Sequence, residues 1–229
     1  MPEPKKLPSK RVPVAASPAL ADLSPMLLSE RTAAPRDEGD YFAEVKYDGY
    51  RVLAEFGDGR CVLKTRNGAN CSTWFPEVTQ SLASVTCART VIDGEVCVLD
   101  DLGRTDFEAL QARARRRRWT PGAPSVTFCA FDVLIAGERN VMNLPLRERK
   151  AVLTRIFAAP PQFVLVVGYF DVSMHPRPLT WLYEQAKSLQ LEGIVGKKAD
   201  SLYVPGQRSS DWFKWKRPGA IPPQRFQRR

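Results

Sequence analysis

Glu44-Val45-Lys46-Tyr47-Asp48-Gly49-Tyr50-Arg51 is the stretch from which this chain is best read. It joins two runs of strand-like alternation, YFAEVKYD (41–48) and YRVLAEF (50–56), through an Asp-Gly pair that suits a sharp change of direction. Outward from it, GDG at 57–59 reads as a hairpin turn into RCVLKT (60–65). Further strand-like segments are TVIDGEVCVL (90–99), SVTFCAFDVL (125–134), FVLVVGYF (163–170), GIVGKK (193–198) and WFKWK (212–216). Helical patterns cover about 105–118, 146–158 and 179–190, the first opening on Thr105 with Glu108 three residues later, a capping-box signature. Several consecutive strands lie too close in sequence for the helical crossover that a parallel pair needs. Mainly antiparallel sheet with flanking helices, an α+β fold, is therefore expected.

The chain has 229 residues, 44% hydrophobic and 10% aromatic, enough for a real core in one domain or two small ones. No run approaches the roughly 18 apolar residues of a membrane span. The N-terminal MPEPKKLPSKRVP has charges with no apolar stretch behind them, which argues against a secretory signal. Five cysteines, at 61, 71, 87, 97 and 129, form no CxxC and are odd in number, which points to reduced thiols and a cytoplasmic setting. Residues 1–24 are rich in Pro, Lys and Arg and read as an extended tail; 218–229 read the same way, leaving 25–217 as the folded domain. The formal net charge is +9, with +2 in residues 1–35, +4 in 217–229 and +3 in 36–216. Such an excess suggests a polyanionic partner without saying which.

Lys46 follows an apolar strand residue and precedes a turn, an unusual position for a merely solvated charge. A lysine near backbone and other cations can have its pKa lowered from about 10.4, freeing the amine as a nucleophile. K-x-D-G-x-R should arise by chance in a chain of this length only about a few times in a thousand. After it come, in order, Thr65-Arg66-Asn67-Gly68, Asp93-Gly94-Glu95, Phe131-Asp132-Val133-Leu134, Glu192-Gly193-Ile194-Val195-Gly196-Lys197 and Trp212-Phe213-Lys214-Trp215-Lys216. This series resembles the covalent nucleotidyltransferase superfamily of ATP-dependent DNA ligases, RNA ligases and mRNA capping enzymes. It is most similar to the ligase module of bacterial double-strand-break-repair DNA ligases, whose character also shows in LPLRERKAVL (144–153), LEGIVGKKADSLYVPG (191–206) and SSDWFKWK (209–216). The resemblance spans about residues 24–219 and implies the covalent nucleotidyltransferase (ATP-grasp-like) fold.

The resemblance further implies that Lys46 attacks ATP to give lysyl-AMP, that AMP passes to a DNA 5′-phosphate, and that a 3′-hydroxyl then seals the nick. Lys214 and Lys216, two apart on a strand, share one face while Phe213 and Trp215 share the other, and the family places its α-phosphate contacts at those lysines. Glu95 and Glu192 match the carboxylates that hold Mg²⁺ or Mn²⁺, and Asp48 is a further family carboxylate beside the nucleophile. Phe131 matches the aromatic that stacks on the purine, Val195 the residue closing its other side, and Glu44 the reader of the adenine amino group. Arg66 and Arg51 match arginines at the nick 5′-phosphate and the nearby nucleotide. The run Arg113-Ala114-Arg115-Arg116-Arg117-Arg118 has two readings, a solvated helix end and a phosphate contact.

A ligase of this type continues into an OB-fold domain, whereas about a dozen residues follow Lys216 here, which reads either as a minimal ligase or standalone adenylation domain or as a piece of a longer protein. Slow self-adenylation, or better sealing of pre-adenylated nicks, is the expectation that follows. The expected partner is nicked or broken double-stranded DNA, met as a monomer, with a Ku-type end-binding protein as the recruiter the resemblance would add. The alternatives are an RNA ligase-type repair enzyme and a non-catalytic nucleic-acid-binding module of the same fold.

Overall fold

The computed structural model describes residues 17–220. Ten strands and four helices follow one another as β1 (Leu27–Glu30), β2 (Tyr41–Val45), β3 (Tyr50–Gly57), β4 (Arg60–Thr65), α1 (Pro76–Ala83), β5 (Thr90–Cys97), α2 (Phe107–Arg115), β6 (Thr127–Ala136), β7 (Arg139–Asn140), α3 (Leu146–Ile156), β8 (Val164–Val166), α4 (Pro178–Ser188), β9 (Gly193–Lys198) and β10 (Arg208–Lys216). They form a four-stranded sheet in the order β1-β10-β9-β2 and a larger one in the order β4-β3-β5-β6-β7, with β8 added beside β6. Pairing is antiparallel except for β1 with β10 and β8 with β6, so the expected α+β architecture of mainly antiparallel sheets is what forms.

The period-2 alternation explains the layering. On β2, Tyr41 and Ala43 join Leu179, Leu182 and Ala186 of α4 and Phe213 of β10 in one apolar cluster, so α4 covers the outer face of the smaller sheet. Phe42 points the other way, into a middle cluster with Leu53, Val91, Leu134 and Trp212 that glues the two sheets together. The outer face of the larger sheet buries Val52, Ala54 and Ile92 against Val78 and Leu82 of α1 and Leu110 of α2. The site lies in the cleft where the two sheets part.

Several expectations shift. The GDG turn forms as read, with Asp58 and Gly59 at φ 50° and 74° between paired Gly57 and Arg60. The α2 cap is Asp106 rather than Thr105, its carboxylate accepting from Ala109 N at 2.9 Å. Residues 163–170 give only three strand residues, after which Phe170 pairs with Ala43 across an isolated bridge. Helix α1 and strands β1 and β7 were not foreseen. Of the expected tails, 1–16 and 221–229 lie outside the described residues. Within residues 17–24 a 3-10 turn, Leu20–Asp22, buries Leu20 and Leu23, and Lys64 donates to the carbonyls of Leu20, Ala21 and Leu23. The packed domain therefore begins earlier than residue 25. All five cysteines are free, and among the described residues no helix is long and apolar enough to cross a membrane.

Candidate active site

Alternation along four strands delivers the site. Glu44 shares the inter-sheet face with Phe42, and Lys46, just past the end of β2, keeps the same parity. Arg51 shares Leu53's side of β3, Asp93 and Glu95 share Val91's side of β5, and Val195 with Lys197 face away from Ile194 on β9. Between Lys46 and Arg51 the chain passes from one sheet to the other, and Gly49 sits where space is tightest. A Cβ there would lie 2.2 Å from Val96 O and 2.7 Å from Cys97 Sγ. Gly193, at φ 147°, answers a similar need beside Glu192, since its Cβ would fall 2.2 Å from Trp215 O.

At the mouth of the cleft Glu192 bridges two lysines, Oε2 lying 2.6 Å from Lys46 Nζ and Oε1 3.1 Å from Lys216 Nζ. The Lys46 backbone N–H donates to Gly193 O at 3.0 Å, which ties nucleophile and carboxylate into one unit. Burial works to lower the Lys46 pKa, but Glu192, Glu95 and Asp48 outweigh it and carry it above 10.5. This reverses the expectation of a lysine freed by low pKa, because its neighbours are carboxylates rather than cations. Glu95 is pushed up from 4.5 to about 7, first by burial and then by Asp93 and Asp48, against the opposing pull of Lys46 and Arg51. Among the described residues no lysine or arginine pairs with Glu95 within 4.0 Å, and no group of three or more metal-ligating side chains occurs. A half-buried carboxylate without a salt-bridge partner, near the same lysine as Glu192, fits a divalent cation whose remaining ligands are water and phosphate oxygens.

The other catalytic-motif lysine goes elsewhere. Lys214 Nζ lies 3.1 Å from Glu30 on β1, so the structure joins Lys216, not Lys214, to the Lys46 carboxylate. Arg51 is heavily engaged, donating to both Asp93 oxygens at 2.8 and 2.7 Å and to Met26 O at 3.1 Å, with its guanidinium 4.9 Å from the Phe131 ring centre. Tyr203 Oη donates to the same Asp93 at 2.6 Å.

Deeper in the cleft, Glu44, Phe131, Val195 and Lys197 line the wall together. Lys197 donates to Glu44 Oε2 at 2.7 Å and stands 4.3 Å from the ring centres of both Phe131 and Trp212; burial lowers its pKa from 10.5 to about 8. The sequence reading quoted Lys197 at the end of its motif but gave it no role, although it stands two residues beyond Val195 with the same parity. It also missed Lys150, which reaches Glu44 from α3 with no local signal.

A second, larger groove of about 650 Å³ opens beside Glu95 and is lined by Arg66, Tyr50, Trp74, Arg115 and Arg117. Arg66 thus lies in the groove that adjoins the first cleft at Glu95. The two readings of the arginine run divide residue by residue. Arg113 is 3% exposed, pairs with Glu77 at 2.6 Å and donates to backbone carbonyls of Trp74 and Pro124. Arg115 and Arg117 turn toward the groove, the latter with its guanidinium 5.7 Å from the Trp74 ring centre.

The family described as ATP dependent DNA ligase domain matches residues 20–216. The multifunctional non-homologous end joining protein LigD of Mycolicibacterium smegmatis is 30% identical over 193 residues, covering 84% of this chain and 24% of that protein. The SPbeta prophage-derived DNA ligase-like protein LigB of Bacillus subtilis is 33% identical over 192 residues, 84% of this chain and 66% of its own length. Among solved structures, the ligase domain of Mycobacterium tuberculosis LigD superposes with a TM-score of 0.72 at 27% identity, covering 86% of this chain and 62% of that one. A mycobacterial DNA ligase D complexed with ATP and MES gives 0.71 at 27% identity, over 86% of this chain and 61% of that one. This chain thus spans about a quarter of the length of its LigD relatives.

Proposed function

The chain belongs to the ATP-dependent DNA ligase domain family, and from that premise we propose that it is the adenylating and strand-joining core of such an enzyme. Lys46 Nζ attacks the α-phosphorus of ATP, forming a P–N bond as the bond to the bridging oxygen breaks and pyrophosphate leaves. AMP then moves to the 5′-phosphate of a DNA nick and Lys46 is regenerated. Attack by the 3′-hydroxyl on that phosphate forms the phosphodiester and expels AMP. The observation that carries this reading is the shared Glu192 carboxylate between Lys46 and Lys216, with Glu44 and Phe131 farther along the same cleft.

Because carboxylates keep Lys46 protonated near neutral pH, attack requires loss of an Nζ proton, and Glu192 Oε2 at 2.6 Å is within reach to take it. Lys216 then meets the negative charge developing on the α-phosphate, joined by Lys214 if its exposed partner Glu30 gives way. Phe131 and Val195 would hold the purine between them, Asp48 would help orient the lysine, and Glu44 would accept from the adenine amino group. Glu95 and Glu192 would hold Mg²⁺ or Mn²⁺, which neutralises phosphate charge when bound. Arg51, fixed by Asp93, would serve the nucleotide from one place, while Arg66 would bind the nick 5′-phosphate.

The LigD relatives are non-homologous end joining proteins, so we extend the proposal to ends of broken duplex DNA and to a Ku-type partner there. Incubation with α-labelled ATP and Mg²⁺ tests the chemistry. Covalent label is expected on the wild type and none on Lys46→Ala, and label retained by that variant would rule Lys46 out as the nucleophile. Nicked DNA and nicked RNA offered to the labelled protein then separate the polymer choices.

A further inference from the structure

Glu44 is one of the most enclosed carboxylates in the molecule, 2% exposed, and its two oxygens are treated differently. Oε2 accepts a well-formed hydrogen bond from Lys197 at 2.7 Å. Oε1 is ion-paired with Lys150 Nζ at 2.6 Å, but off hydrogen-bonding direction, so this buried oxygen keeps a lone pair open to a further donor. The residue holding it there is on a different element from the nucleotide motifs. Lys150 sits on α3 directly after Arg149, whose guanidinium is locked on Asp132 by two 2.9 Å bonds. Lys150 itself is 3% exposed, lies 3.4 Å from Val167 O and stands 5.7 Å from the Tyr169 ring centre.

We infer that Lys150 is a positioning residue for base selection, fixing the Glu44 carboxylate so that Oε1 offers its free lone pair to an amino group at position 6 of a purine. The inference rests on the proposed function and adds a determinant of substrate choice. A 6-amino purine supplies the missing donor. A purine with an oxygen at position 6 sets acceptor against acceptor, and one with hydrogen there leaves Oε1 buried and unpaired. Without Lys150 the carboxylate keeps only Lys197 and can swing, so affinity for the 6-amino group falls while stacking on Phe131 is untouched.

The test is binding, measured by calorimetry for ATP, purine riboside triphosphate (no 6-substituent) and GTP on the full chain. Wild type should prefer ATP over both by about 10- to 100-fold, as for a hydrogen bond to a charged group. Lys150→Met should compress that preference to within about threefold, whereas Lys150→Arg should largely retain it. If Lys150→Met fails to fold, Lys150→Gln is read by the same criterion. A purely structural role would weaken all three nucleotides alike, and an unchanged ratio, or a wild type without preference, would overturn the inference. A wild type that selects ATP through Lys150 but forms no lysyl adduct would support it while removing the proposed reaction. One that binds no nucleotide would remove both.

Discussion

Glu95 shows at a single residue how the site stores its readiness. Its carboxyl is pushed from 4.5 to about 7 because burial outweighs the help of Lys46 and Arg51. Between those two values the folded chain holds more protons than the unfolded one, so stability should fall as pH rises through this window and stay lower above it. Glu95→Gln removes the charge and keeps the shape. Its stability relative to wild type should therefore grow from pH 5 to pH 7 and level off beyond, reaching about 2 kcal/mol. Thermal melts across that range measure the difference, and a gap independent of pH would contradict the burial argument. The residues themselves were legible from sequence because they stand in the motif series that resembles the ligase family. What was not legible was their mutual charge: Glu192 stands 146 positions from Lys46, and only the folded register reveals that the lysine is held by carboxylates.

Helix α2 and its trailing arginines show what an element adds. The run reads as uniform charge, yet one turn of helix sends Arg113 inward to Glu77 and leaves Arg115 and Arg117 on the groove. Arg113→Met should cost about 3 kcal/mol by stranding a half-buried carboxylate. Arg117→Ala should leave the melting temperature almost unchanged and lower the salt slope of nicked-duplex binding by about 0.9, one phosphate contact. Equal melting losses in both variants would refute that division. Elements missed from sequence share a physical cause. Helix α1 offers only Val78 and Leu82 as buried anchors and has no side-chain cap, so its periodicity is faint. Strand β1 is four residues long and owes its existence to parallel pairing with β10, about 180 residues away.

At the scale of the whole molecule, the fold is two sheets meeting over a shared apolar seam that opens into the reaction cleft. Residues 17–220 carry a net +3, while 1–16 and 221–229 hold +3 each. Removing both outer segments should therefore make the salt slope of DNA binding shallower with little loss of stability, and an unchanged slope would assign that dependence to the groove alone. The ion pairs at the cleft mouth act in the opposite sense to this diffuse positive charge. Since Glu192 already satisfies Lys46 and Lys216, the mouth is not an open trap for any passing anion. A singly charged ion gains little by displacing a carboxylate that is tethered beneath both ammonium groups. A polyphosphate, bringing several charges at once, can supplant it. The carboxylate therefore works as a valence filter, keeping singly charged ions off the nucleophile until a polyphosphate arrives.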